Sequence, residues 1–133
     1  CNNLKVNTML EYKFAGLPEN INVQCDIDIP DNLDMDMGDL SVIIGNLLDN
    51  SINAVKKIDE GAYINVVMKY SAESLFITIK NSYIEDNTIK SAVYYIDHGR
   101  GIKNVKRLVD KYKGSYSDTK ENGVYTTNLS ISI

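Results

Sequence analysis

Apolar side chains recur along the chain with two periods, and each period marks a kind of element. Val6, Met9, Leu10, the stem of Lys13, Phe14 and Leu17 fall at helical spacing, and Gly16 with Pro18 ends the run. Residues 21–29 alternate strictly. Ile21, Val23, Cys25, Ile27 and Ile29 lie on one side, and Asn22, Gln24, Asp26 and Asp28 on the other. That pattern predicts a half-buried strand ended by Pro30, with Cys25 as a small buried hydrophobe. Asp36 and Asp39 resemble an N-cap pair for a helix running to about residue 57. Strands over 63–70 and 75–81 flank the turn-like Ser71-Ala72-Glu73-Ser74. Residues 82–99 show no period, and a connection that long in a compact domain is usually a lid or binding loop. Ile102, Val105, Leu108, Val109 and Tyr112 then share a helix face that closes at Gly114. A last hairpin turns at Glu121-Asn122-Gly123, with Tyr125, Thr127, Leu129, Ile131 and Ile133 on one face of its second strand.

Helices and strands arranged this way predict an α+β fold: a two-layer α/β sandwich whose mixed, mostly antiparallel sheet is covered on one face by helices. The 133 residues suffice for one domain. No apolar run reaches the roughly 18 residues of a membrane span. A net charge of −4 argues against a phosphate-backbone binder, so no nucleic acid is expected as partner. Two cysteines build neither a disulfide framework nor a zinc site, and a reducing cytoplasmic setting is the default. A chain opening on Cys1 reads as a piece of a longer protein.

Three stretches carry candidate chemistry. On the helix after Asp39, Asn46, Asn50, Asn53 and Lys57 fall within about 40° of one line, opposite a broad apolar arc. Asn does little for a helix, but its carboxamide offers a neutral oxygen to a hard cation and an NH₂ to phosphate. The bland account is a solvated stripe in a chain that holds fifteen Asn. In the second stretch, Gly99 and Gly101 precede an amphipathic helix, where backbone N–H groups and the helix dipole favour an anion. Third, Asn81 shares a strand face with Leu75, Ile77 and Ile79, so a polar side chain points inward at the strand's end. Asp34-Met35-Asp36-Met37-Gly38-Asp39 is no calcium loop, because Gly45 stands where the twelfth-position Glu is required. The basic cluster Lys103, Lys106, Arg107, Lys111 and Lys113 reads as a solvated helix face.

The words around these residues carry a resemblance. Val42-Ile43-Ile44-Gly45-Asn46-Leu47-Leu48-Asp49-Asn50-Ser51-Ile52-Asn53-Ala54 closely resembles the N box of sensor histidine kinases, members of the GHKL group with the Bergerat fold. Gly99-Arg100-Gly101-Ile102-Lys103-Asn104-Val105 resembles the same family's G2 box, in the right order along the chain. The resemblance implies an ATP-binding catalytic domain over 17–133, with a nucleotide lid about 82–100. Residues 1–16 would be the end of a dimerisation region or the first helix. It implies ATP and Mg²⁺ as cofactors, with the metal on Asn50 and phosphate near Asn53, Lys57, His98, Gly99, Arg100, Gly101 and Ile102. Asn46 matches the general-base Glu of the hydrolysing relatives and cannot take a proton from water, which points to a kinase.

The family pattern breaks at Asn81-Ser82-Tyr83, where most members have Asp-x-Gly-x-Gly with the Asp accepting from the adenine amino group. Asn81 keeps an oxygen for that bond but loses charge assistance. This Asn-Ser variant, with a short lid, resembles the peptide-pheromone, quorum-sensing kinases of Gram-positive bacteria. The implied enzyme is a protein-histidine kinase that passes the γ-phosphate to a His on a separate dimerisation domain, and thence to a response regulator. His98 abuts the glycine turn, so the acceptor His is expected on a part of the protein absent from this sequence. The implied setting is a cytoplasmic domain without membrane contact, carried by a membrane-anchored sensor. The alternative is a degenerate interaction domain of the same fold that no longer binds nucleotide.

Overall fold

The computed structural model describes residues 3–84 and 101–133. Helix α1 (Leu4–Phe14) leads into strand β1 (Asn22–Asp28), then helix α2 (Met37–Val55) and the hairpin β2 (Tyr63–Ser71) and β3 (Ser74–Ser82). Helix α3 (101–111) precedes the closing hairpin β4 (Ser115–Glu121) and β5 (Val124–Ser132). The five strands form one sheet in the order β1-β2-β3-β5-β4, parallel only between β1 and β2. The α+β two-layer sandwich expected from the periodicities is therefore the fold observed.

Local chemistry accounts for the ends of the elements. The Asn3 side chain accepts from the Val6 amide at 3.1 Å, and its NH₂ donates to the carbonyls of Pro30 and Asp31. One buried carboxamide thus caps α1 and ties it to the end of β1. Asp36 caps α2 by accepting from the Asp39 amide at 3.0 Å. Ala72 and Glu73, at φ 52° and 61°, make the two-residue turn of the first hairpin. Asn122 and Gly123, at 52° and 77°, make that of the second, the left-handed pair a type I′ turn requires.

Three sequence expectations are corrected. Helix α2 ends at Val55, so Lys57 lies past its last turn. Helix α3 closes through Lys113, not Gly114. Lys113 takes φ 54°, its amide bonds to Asp110, and the Gly114 amide bonds to Val109 at 2.8 Å, a Schellman closure. Gly114 is required for another reason: a Cβ there would sit 1.9 Å from the Ser130 carbonyl oxygen. Cys25 is exposed, although Val66, its register partner on β2, is buried. β1 is the sheet's edge, and the helical cover does not reach its centre; only Ile21 and Ile29, flanking the strand, are fully buried.

Register sorts the inner face of the sheet into rows, since paired residues point to one side. The lowest row holds Tyr70, Leu75 and Ile131; the next holds Met68, Ile77, Leu129 and Tyr116. Above them come Val66, Ile79, Thr127 and Asp118, and last Ile64, Asn81, Tyr125 and Lys120. Leu40, Ile43, Leu47, Leu48 and Val55 of α2, with Val105, Leu108 and Val109 of α3, close the core over the apolar part.

Candidate functional site

The upper row is where polar side chains enter the buried layer. Asn81 is fully buried, and its Oδ1 accepts from the Ser51 hydroxyl of α2 at 2.8 Å. Its Nδ2 donates to the Ser82 carbonyl at 2.9 Å, and that carbonyl can only accept, so the orientation of the amide is settled. Ser82 in turn accepts from the Tyr63 amide at 3.0 Å. Thr127, also buried, stands one row below on the neighbouring strand. The sequence reading missed Ser51 and placed Thr127 only as part of an apolar face. Ser51 had a signal: a hydroxyl four residues after Leu47, inside the apolar arc of α2.

The carboxamide stripe of α2 adjoins this row. Asn46 donates from Nδ2 to the Val42 carbonyl at 2.9 Å, which holds its side chain against its own helix. Gly101 of α3 packs directly on it: a Cβ at Gly101 would lie 3.0 Å from Asn46 Oδ1. Two segments 55 positions apart (101 − 46) are thereby brought into contact. Asn50, half-buried, follows one turn after Asn46, and Asn53 is exposed. Lys57, also exposed, is carried by the turn beyond Val55, where its amide reaches the Ala54 carbonyl. Ile102 packs against the edge of the core. His98, Gly99 and Arg100, with most of the segment 82–100, lie outside the described residues.

Lys13 of α1 lies over Gly45 and pairs with Asp49 at 2.7 Å. At the far end of α2, Asp39 accepts from Lys111 Nζ at 2.7 Å and from the Tyr112 hydroxyl at 2.6 Å. These two bonds, Lys111's first, hold the Asp39 carboxyl below its ordinary pKa. No group of three or more His, Cys, Asp or Glu side chains suited to a metal occurs among the described residues. A divalent cation here would therefore draw on carboxamide oxygens and on its ligand's own oxygens, the manner in which Mg²⁺ is commonly held with phosphates. Asn50 fits that manner. A depression of about 390 Å³ lies elsewhere, on the sheet's outer face between Asn22, Gln24, Tyr63 and Asn65, and no candidate residue lines it.

Comparison with known proteins agrees with the fold. The chain superposes on the nucleotide-free catalytic domain of histidine kinase ThkA with a TM-score of 0.70 at 16% identity, covering 97% of this chain and 92% of that one. The blue-light-activated histidine kinase of Erythrobacter litoralis matches with a TM-score of 0.74 at 14% identity, over 96% of this chain and 40% of that one. Histidine kinase AdeS of Acinetobacter baumannii matches with 0.68 at 13%, over 96% and 62%. Identities this low establish the fold alone. No curated protein sequence matches. The GHKL domain family matches residues 35–132, from the entry of α2 to the end of β5. By that match the chain belongs to the GHKL domain family, built on the Bergerat fold that histidine-kinase catalytic domains share.

Proposed function

We propose that this domain binds ATP with Mg²⁺ between α2 and the segment 82–100, and delivers the γ-phosphate to a histidine on a separate dimerisation domain. The observation that supports the reading is the contact of Gly101 with Asn46, which sets the start of α3 against the carboxamide stripe. Asn50, one turn along, would hold the metal, which when bound neutralises phosphate charge. Gly101 and the preceding Gly99 would admit phosphate close to backbone N–H groups, with Arg100, His98, Ile102, Asn53 and Lys57 around it. Asn46 has no basic oxygen with which to deprotonate water, so the arrangement suits transfer to a positioned acceptor over hydrolysis. The product would be a phosphohistidine that a response regulator discharges in a two-component pathway. The Asn81-Ser82 variant supports placing the domain among pheromone-sensing, quorum-sensing kinases of Gram-positive type. It would work in the cytoplasm as part of a membrane-anchored sensor; no helix among the described residues is long and apolar enough to cross a membrane.

A second reading has its own observation. Both ends of the Asn81 amide are already bonded, to Ser51 and Ser82, as in a site retired from base recognition. On that reading the domain is a non-catalytic interaction module. Thermal unfolding with ATP or ADP, with and without Mg²⁺, separates the two. A Mg²⁺-dependent rise in melting temperature is expected, and no shift at millimolar nucleotide would sink the kinase reading.

A further inference from the structure

One apolar part of the sheet's inner face ends without cover. Val23, Cys25 and Ile27 of β1 stand beside Ile64, Val66 and Met68 of β2, all three buried. Yet Val23 and Ile27 are only half-buried, and Cys25 is exposed. β1 is an edge strand, and folded proteins commonly blunt such edges with Pro, Lys, a bulge or a charge turned inward. β1 has none of these. Asn22–Asp28 contains neither Pro nor Lys, its register with β2 is unbroken, and the side chains it turns inward are Val, Cys and Ile. Its backbone is committed on one side alone. The Asn22 amide donates to the Ala62 carbonyl at 3.0 Å, so Asn22, Gln24 and Asp26 turn their N–H and C=O groups to β2. Val23, Cys25 and Ile27 turn theirs to the open edge, where no strand pairs with them among the described residues.

The strand is complementary to itself. We propose that β1 pairs antiparallel with β1 of a second copy of this chain, about a two-fold axis at Cys25, so that two five-stranded sheets join into one. In that register Cys25 faces Cys25, and Val23 of each copy faces Ile27 of the other. All these residues carry outward backbone groups, so each facing pair exchanges both of its hydrogen bonds. The apolar surface that stops at Cys25 in one copy runs on into the next. On the outer face Asn22 meets Asp28 and Gln24 meets Asp26, which sets every carboxylate of the strand against an NH₂ that donates to it. Asp26 keeps its 3.1 Å pair with Lys69, since a carboxylate accepts more than one bond. Sliding the copies by one residue would oppose backbone groups that point away from each other. Sliding them by two shortens the paired stretch in either direction, and in one of them sets Asp26 against its own copy. A single strand pair buries less surface than a standard interface, so the dimer is weak and forms with rising concentration.

The test is the mass of the full 133-residue chain in reducing buffer, by sedimentation equilibrium from about 10 μM to about 1 mM, where interfaces this small associate. The mass is expected to climb from 14.9 kDa toward twice that value. Cys25→Lys puts two like charges at the axis and should abolish the climb, whereas Cys25→Ser should keep it. Gln24→Asp leaves the apolar side chains alone, sets Asp against Asp26, and should weaken association by about threefold or more. Copper phenanthroline reads the register. Facing Cα atoms in a hydrogen-bonded pair lie about 5.5 Å apart, inside the roughly 4.4–6.8 Å span of a disulfide. In a Cys1→Ser chain the oxidant should convert two Cys25 thiols into one disulfide and yield a covalent dimer. The same chain carrying Cys25→Ser and Asp28→Cys should yield none, because residue 28 sits at opposite ends of the paired strands. A mass that stays at one chain throughout, a climb that survives both Cys25→Lys and Gln24→Asp, or equal cross-linking from positions 25 and 28 would each overturn the proposal. No nucleotide is added, so the result stands apart from the proposed function.

Discussion

The lower and upper parts of one sheet face differ in what they ask of the chain. Below, Leu75, Ile77, Ile131 and Leu129 meet α2 and α3 in a layer that is apolar throughout. Above, β3 and β5 present Asn81, Thr127 and Tyr125, and the neighbouring β4 presents Asp118 and Lys120: Asn81 bonds to Ser51, Asp118 accepts from Tyr125, and Lys120 lies over the Tyr125 ring. The apolar part needs only volume and period, and many side chains would serve. The buried polar groups, Asn81 first, need each donor matched to an acceptor, since an unpaired buried polar group costs about 1–3 kcal/mol. The first region carries most of the buried apolar surface, and the second is where the proposed function places recognition.

The contrast can be broken most severely from below. Leu48→Ala, at a fully buried site of α2, should lower the unfolding free energy by about 3 kcal/mol in urea titrations without nucleotide. Tyr125→Phe in the polar part should cost under about 1 kcal/mol in the same titrations, and equal losses would erase the distinction. Next in size, Asn81→Asp should destabilise the free domain by about 2 kcal/mol, because a carboxylate cannot donate to the Ser82 carbonyl and is repelled by it. Neutral stability on this change would mean that the amide bonding is not what shapes the site. Asn50→Ala should weaken Mg²⁺-dependent ATP binding by about tenfold or more while moving the unfolding free energy by no more than about 0.5 kcal/mol. An unchanged affinity would remove the metal from Asn50.

The smallest effect belongs to the clasp at the far end of the helices. The Asp39 carboxyl has a folded-state pKa below its unfolded value, so its contribution is present above the ordinary carboxylate range and is lost as pH falls through the folded value. Urea midpoints measured from pH 7 down to pH 3 should therefore fall more steeply for the unaltered chain than for Asp39→Asn. Parallel curves would show that Lys111 and Tyr112 hold Asp39 without stabilising the fold.

Period made most of the elements legible. The strict alternation around β1, the arc of α2 and the Asn-Gly turn of the second hairpin all express local rules, and each element stands within a few residues of its expectation. The errors arise where cover, not period, decides. Cys25 alternates as a core residue would, but no helix reaches the middle of the edge strand. Gly114 read as a left-handed cap, yet it is glycine because β5 passes too close for a Cβ. The roles proposed for the site residues rest on words shared with a family. Ser51 and Asn81 each stand out as a polar residue on an apolar face, but that they pair, across thirty positions, is written in neither segment alone.

The sequence by itself determined the elements, the fold class and the order of the two motifs, because each follows from side-chain period and from contacts no more than a turn away. Tertiary structure alone decided which polar groups meet. Folding set Gly101 on Asn46, committed both ends of the Asn81 amide, and gathered Tyr116, Asp118 and Tyr125 into one hydrogen-bonded group. Strand order and register fix such meetings, and both are set by how the whole apolar face is buried, which no local segment encodes.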